Sequence, residues 1–377
     1  MANPLSCVAP ALRILERHVN LLRATGAAVQ ELQHPDQEEI DDSMLSGEEL
    51  GIVAESPVPS AIYHPTPPLS RREKHIFRYF VDGSIRMYYL GTAIEGRRSF
   101  PVELAQIGAA VIKRADDGRL KVHARKHKIL LLVVVGGDGL SDSVTKQLER
   151  TSSSDGFFEF TPVRSDKDSN LLGADAKDPR NRTGGKARFE MHKLEVDLIH
   201  DIGKNLRQDE WIILDGGLKI GSFPEGVNII GVAKSFSKTP RFSISKGRRS
   251  SARNDIDITS LLANLPYAHR TSVFRMEGSR IGFWYVRLRP ADKEKQLDYH
   301  LMGVVKVEAF LNDEQSVPAD LADLLSRALV AERNVTPYGR DRRWHCHLYP
   351  IYIAEQVIKN GFFSQEVLMG ALRQLGL

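Results

Sequence analysis

The sequence predicts an α/β protein, a mixed sheet flanked by helices with a helical appendage at its N-terminus. Three observations carry this expectation. Short apolar runs rich in Val and Ile read as buried strands, residues 129–135 among them. Strand patterns come before helical ones and long polar insertions separate them, which suits a mixed sheet with helices packed on it. Residues 8–33 place Leu12, Leu15, Val19, Leu22, Val29 and Leu32 at helical spacing, so an amphipathic helix is expected ahead of the sheet.

Composition narrows the class. At 377 residues, 42% hydrophobic and 27% charged, the chain is an ordinary globular protein with room for one large domain or two smaller ones. No apolar run approaches the roughly 18 residues of a membrane span, so no membrane partner is expected. Met1-Ala2-Asn3-Pro4 has no basic n-region, and no signal peptide is expected. Cys7 and Cys346 alone cannot make a disulfide framework or a Cys-rich zinc module, which suits a reducing cytoplasm.

Charge is uneven. Asp36, Glu38, Glu39, Asp41, Asp42, Glu48, Glu49 and Glu55 share one N-terminal stretch, although the whole chain carries +4. The remainder is basic, with clusters at Arg71-Arg72, Arg125-Lys126, Arg248-Arg249 and Arg342-Arg343. Such clusters suit a polyanion or are solvated loops; each reading is open for any single cluster.

The elements follow in order. After the helix and the acidic segment, Pro57, Pro59, Pro65, Pro67 and Pro68 suggest an extended linker, so residues 1–70 form one unit and 71–377 the main domain. Residues 76–81 and 85–94 read as two strands joined by an Asp82-Gly83-Ser84 turn. Residues 102–113 read as a third strand, or a strand with a short helical lead-in, and 129–135 as a buried strand. Gly136-Gly137-Asp138-Gly139 then precedes a helical pattern at 141–148, as a tight turn capped by Ser141 or a phosphate cradle. Residues 151–187 are polar and read as a long loop insertion; 189–206 are helical. Strands are expected at 211–214, 228–233, 273–276, 281–288 and 301–310, and helices at 320–332 and 351–361.

Two runs carry the chemistry. Phe80-Val81-Asp82-Gly83-Ser84-Ile85-Arg86 and Trp211-Ile212-Ile213-Leu214-Asp215-Gly216-Gly217 each bring a carboxylate to the end of an apolar strand. Glycine beside it lets a metal or phosphate approach the backbone. Two carboxylates on neighbouring strand ends suit a divalent cation for phosphodiester chemistry; an Asx-turn is the plain structural reading of either. Lys234 ends another apolar run, where its ammonium meets a phosphate or merely reaches solvent. Lys246-Gly247-Arg248-Arg249-Ser250-Ser251-Ala252-Arg253 is a phosphate-contacting loop or a plain basic one.

The order of these motifs resembles the NurA family of DNA-repair nucleases. Val81-Asp82-Gly83-Ser84-Ile85-Arg86 is similar to the family's first metal-binding strand, and Leu214-Asp215-Gly216-Gly217-Leu218 to its second. Gly231-Val232-Ala233-Lys234-Ser235 resembles the strand and lysine that follow. Val305-Lys306-Val307-Glu308 and Tyr349-Pro350-Ile351-Tyr352-Ile353-Ala354-Glu355 resemble the late strand and the start of the last family helix. The match spans most of residues 76–362. It implies a ribonuclease H-like fold, Mn2+ or Mg2+ as cofactor, cleavage of DNA ends, a homodimer, and a HerA-type hexameric ATPase as partner. It also implies an acidic residue on the helix before Asp215, with Glu195 the first choice and Glu190 the second. Asp82, Glu195 and Asp215 are then the metal ligands, Lys234 a catalytic group, and Ser84, Arg86, Lys234, Arg248 and Arg249 the DNA contacts.

At the C-terminus the chain departs from the family, which commonly has a histidine inside the helix after Tyr-Pro. Here that stretch is Ala354-Glu355-Gln356-Val357-Ile358, while His345 and His347 precede Tyr349, on one face of an extended segment if it is a strand. His347 is the first choice for the last group, with His345 and Glu355 as alternatives. Two other functions remain in view. One is an actin-like or sugar-kinase-like ATPase, which also uses two Asp-Gly phosphate turns but needs a late Gly-rich nucleotide motif that Gly278, Gly282 and Gly303 do not form. The other is a catalytically inactive scaffold that grips DNA or a translocase.

Overall fold

The computed structural model describes residues 5–24, 31–32, 51–70, 72–164, 179–224, 226–236, 241–244, 254–276, 278–290, 301–332 and 344–374. In chain order the first elements are α1 (Ala9–His18), β1 (Asn20–Arg23), β2 (Glu31–Leu32), β3 (Gly51–Val53), β4 (Glu55–Ser56) and β5 (Tyr63–Pro65). Three long strands follow, β6 (Phe77–Glu95), β7 (Arg98–Arg114) and β8 (Leu120–Val135), then α2 (Asp142–Glu149), β9 (Phe158–Arg164) and α3 (Pro179–Gly203). Next come β10 (Trp211–Asp215), β11 (Ile229–Ala233), the pair β12 (Arg241–Ile244) and β13 (Asn254–Asp257), and α4 (Ile258–Ala263). The last part holds β14 (His269–Thr271), β15 (Phe274–Met276), β16 (Ile281–Arg287), β17 (Val304–Phe310), β18 (Val317–Pro318), α5 (Ala319–Ala331), α6 (Tyr349–Lys359) and α7 (Gln365–Gln374).

One large mixed sheet runs β3-β15-β16-β17-β11-β10-β6-β7-β8-β9, with helices on both faces. Strands β6, β7 and β8 form an antiparallel meander, and β10 and β11 continue it in parallel with β6. Side-chain alternation separates two apolar layers. Tyr79 and Val81 of β6 meet Leu194, Leu198, Ile199 and Ile202 of α3 on one face. Phe80 shares the other layer with Ile351, Ala354 and Ile358 of α6 and Leu325 and Leu329 of α5.

The turn expected at Asp82-Gly83-Ser84 is absent, because β6 runs straight through it. Asp82, Gly83 and Ser84 pair with Ala110, Ala109 and Gly108 of β7. The long apolar β7 offers a ladder partner all along β6, and this outweighs the local turn preference of the three residues. Glycine serves another purpose here: a Cβ on Gly83 would stand 2.5 Å from Glu195 Oε1, and one on Gly108 would stand 2.7 Å from Ile358 Cγ2. Both helices come close to the sheet over missing side chains.

The described residues before position 71 are more than an appendage. Helix α1 stops at His18, and β1 then pairs antiparallel with the far half of β6, from Asn20–Ile94 to Arg23–Gly91. Leu5, Val8, Ala11, Leu12 and Leu15 share the apolar layer of α3. The helical spacing continues in sequence, but the open edge of β6 offers backbone hydrogen bonds from residue 20 onward. Strands β3 and β5 pair with β15 and β14. Glu55 is held by Arg270 through Nη2–Oε1 at 2.7 Å and Nη1–Oε2 at 3.0 Å, with both side chains fully buried. The boundary expected near residue 71 is therefore crossed by sheet pairing and a buried ion pair.

The expected loop at 151–187 also contains structure, since β9 pairs in parallel with β8 and α3 begins at Pro179. At Gly136-Gly137-Asp138-Gly139 the chain makes a tight turn, with Gly139 N donating to Gly136 O at 3.0 Å, and Ser141 takes the N-cap position, but its side chain does not cap the helix. Glu95 accepts from Ser141 N at 2.9 Å and from Ser141 Oγ at 2.6 Å, placing the protein's own carboxylate at the start of α2. Among the described residues, no helix is long and apolar enough to cross a membrane.

Candidate active site

The site forms where β10 ends. Leu214 pairs with Val81, so Asp215 lies beside Asp82 on the neighbouring parallel strand. The two aspartates belong to adjacent strands as the sequence predicts, but Asp82 lies within its strand and not at a tip. Gly216, at φ +104°, turns the chain, and its N–H donates to Val232 O at 3.0 Å. The turn folds back onto β11 so closely that a Cβ on Gly231 would be 2.6 Å from Gly216 O. Glu308 of β17 accepts from Leu218 N at 2.7 Å and from Lys306 Nζ at 2.9 Å, which pins the chain after Asp215.

Strand β11 delivers Lys234 to the same place. Its Nζ donates to Asp215 Oδ2 at 2.7 Å, and the side chain is 11% exposed. Beyond Val81, the β10 side of β6 has no paired strand among the described residues until β2 meets Met87 and Tyr88. This notch lies at the C-terminal ends of β10 and β11, the usual place for a ligand in an open α/β sheet. Glu195 approaches it from α3, across Gly83, and its Oε2 accepts from His192 Nδ1 at 2.9 Å.

Charge crowds the notch. Burial, and then the charge of Asp215, hold the Asp82 carboxyl well above the usual carboxylate range; Lys234 opposes this, while Glu355 and Glu195 add to it. Burial also raises Glu195, against the hydrogen bond and charge of His192. Burial alone would lower Lys234, but Asp215, Asp82, the bond to Asp215 and Glu355 carry it above its ordinary value, so it stays an ammonium. Several carboxylates thus surround one fixed cation.

The donor set fits a divalent metal in kind: hard carboxylate oxygens with more negative charge than one lysine neutralises. Gly83 leaves the space in which the Glu195 carboxylate sits. As the side chains stand, no three His, Cys, Asp or Glu groups among the described residues close on one point. Asp215 spends an oxygen on Lys234 instead.

Asp82, Asp215, Lys234 and Glu195 therefore come together. Glu190, the second choice on α3, pairs with Lys193 at 2.9 Å and Lys186 at 3.5 Å. His345 and His347 do not share a strand. Trp344–Cys346 is a 3-10 turn, and His345 Nδ1 accepts from Gly303 N at 3.0 Å. His347 is buried just before α6. Of the three candidates for the last group, Glu355 is the one whose charge is felt at both Asp82 and Lys234. Ser84 is buried, and the Arg86 guanidinium lies 5.7 Å from the Phe362 ring centroid. Arg248 and Arg249 lie outside the described residues.

His192 does not stand out in the sequence, and Glu308 does so only as the end of the late-strand motif, with no role attached to it. Glu308 left a trace, as a polar residue alternating with Val305 and Val307 on an apolar strand. His192 left only its place three residues before Glu195, which many helix pairs share. No family model matches the sequence, and no curated protein matches it.

Proposed function

We propose that the chain is a metal-dependent DNA nuclease of ribonuclease H-like kind that processes DNA ends with Mn2+ or Mg2+. The observation that carries this reading is the placement of Asp82 and Asp215 side by side, each one residue past the last register pair Val81–Leu214 of two adjacent parallel strands, next to a notch that Glu195 also reaches. The strand order β8-β7-β6-β10-β11, an antiparallel meander extended by two parallel strands, supports the fold part of the reading.

Asp82 and Asp215 would hold the metal, with Glu195 and Glu355 completing the negative surround. The bound metal supplies Lewis-acid activation of water and shielding of the scissile phosphate. Lys234 orients Asp215 and holds positive charge at the site where an anionic phosphate must arrive. The buried floor of β6, β10 and β11 fixes these groups on rigid strands. DNA as substrate, a homodimer and a HerA-type hexameric ATPase as partner rest on the motif order alone. Linear DNA incubated with Mn2+, with Mg2+ and with chelator tests the reading. Cleavage in the metal arms and none with chelator is expected, while intact DNA in every arm favours the inactive scaffold.

A further inference from the structure

We propose that His192 is the positioning residue for Glu195: wedged against Phe223, its imidazole holds one carboxylate oxygen so that the other is presented over Gly83 to the notch. This rests on the metal-nuclease reading above.

Four contacts make the case. Glu195 Oε2 is fixed by His192 Nδ1 at 2.9 Å, while Oε1 occupies the space that a Cβ on Gly83 would fill, at 2.5 Å. The carboxylate is thus divided, one oxygen tied to the helix and the other turned to the sheet. Both residues are buried, at 9% exposure for His192 and 4% for Glu195. The imidazole is in turn held edge-on to Phe223, with centroids 5.8 Å apart at 87°, and Phe223 packs on Phe310.

Phe223 belongs to the loop that leaves Asp215, so the imidazole ties the helix carrying Glu195 to the chain carrying Asp215. A pair that served helix stability alone would do so equally well at the surface. Here a polar ring is buried, and its Nε2 has no hydrogen-bond partner among the described residues. Burying that nitrogen is costly, and the bond from Nδ1 to Glu195 and the ring's packing on Phe223 offset it. Hydrogen bonds from outside the ligand set are known to orient metal-binding carboxylates, and their loss typically weakens metal affinity by 10- to 100-fold.

The test is Mn2+ binding by the full chain without DNA, followed by the electron paramagnetic resonance of free Mn2+. The proteins are wild type, His192→Phe, His192→Asn and Asp82→Asn, with circular dichroism to confirm folding. His192→Phe keeps the ring and its Phe223 contact but loses the donor, so affinity should fall about 10- to 100-fold. His192→Asn places an amide nitrogen near the position of Nδ1 and should restore most of the affinity. A folded His192→Phe that binds Mn2+ like wild type overturns the proposal, as does a folded His192→Asn no better than His192→Phe. Should His192→Phe not fold, His192→Gln, whose amide sits a bond too far out, takes its place with the same expected loss and the same overturning result. Loss of Mn2+ binding in Asp82→Asn but not in His192→Phe refutes only this inference. Wild type that binds no Mn2+ refutes both it and the nuclease reading.

Discussion

Lys234 donates to Asp215 at 2.7 Å from the end of the neighbouring strand, and the paired Asp215 lies beside Asp82. One buried ammonium thus balances two aspartates that would otherwise repel each other.

Replacing Lys234 by Met should leave that negative charge unbalanced. Removing one partner of a buried pair costs roughly 3–5 kcal/mol, and a urea melt of Lys234→Met against wild type reads the loss. Cleavage should be lost as well. Metal-free DNA binding should stay unchanged, since the ammonium faces Asp215 and not the protein surface. Weaker binding with normal stability would return Lys234 to the role of a phosphate contact.

The raised Asp82 carboxyl makes a signed prediction about pH. A carboxyl whose folded pKa lies above its unfolded value gives stability that is fully present below the unfolded value, about 3.9, and lost as pH rises through the folded one. Raising the pH from 4 toward 7 therefore removes stability that the protonated Asp82 supplies. Asp82→Asn should melt at a higher temperature than wild type at pH 7, with the difference shrinking as the pH falls toward 4. Melting curves across that range check this, and a variant less stable at pH 7 would contradict it.

What the sequence made legible follows from these residues. Ile212 and Ile213 are apolar on both sides of the strand, which marks a buried parallel strand and brings Asp215 beside another strand. Asp82 and Lys234 were visible in the same way, as polar residues closing apolar runs. Whether Asp82-Gly83-Ser84 turned or ran on was not legible, because only the length of β7 decides it. The choice between His347 and Glu355 depends on how α6 sits over β6, which spacing does not encode. The helical spacing at 8–33 was real as far as His18, but the open edge of β6 claimed Asn20–Arg23.

The N-terminal segment should be needed for folding. Glu55 accepts from both terminal nitrogens of Arg270 and from Val273 N at 2.9 Å. Glu55→Ala would leave the buried Arg270 guanidinium with Asp323 as its remaining carboxylate partner, at 2.6 Å from Nε, and its two terminal nitrogens short of theirs, at a cost of about 1–3 kcal/mol. A chain beginning at Arg72 should fail to give a cooperative thermal transition. A sharp transition from that shortened chain would restore the appendage.

Gly231→Ala should harm the site without touching a charge. The new Cβ would meet Gly216 O at 2.6 Å, a backbone atom of the turn that leaves Asp215. Overpacking of this kind costs about 1–3 kcal/mol, and the displaced turn should reduce cleavage further. Thermal melts together with cleavage rates measure the two effects, and a fully active, equally stable variant would show that the turn is slack.

The most direct test of the account compares wild type, Asp82→Asn and Asp215→Asn on linear DNA with Mn2+. Wild type should cleave the DNA, and both variants, each still folded by circular dichroism, should show no measurable cleavage. Wild-type protein that leaves the DNA intact, or variants that cleave it at the wild-type rate, would contradict the claim that these paired aspartates form a nuclease centre.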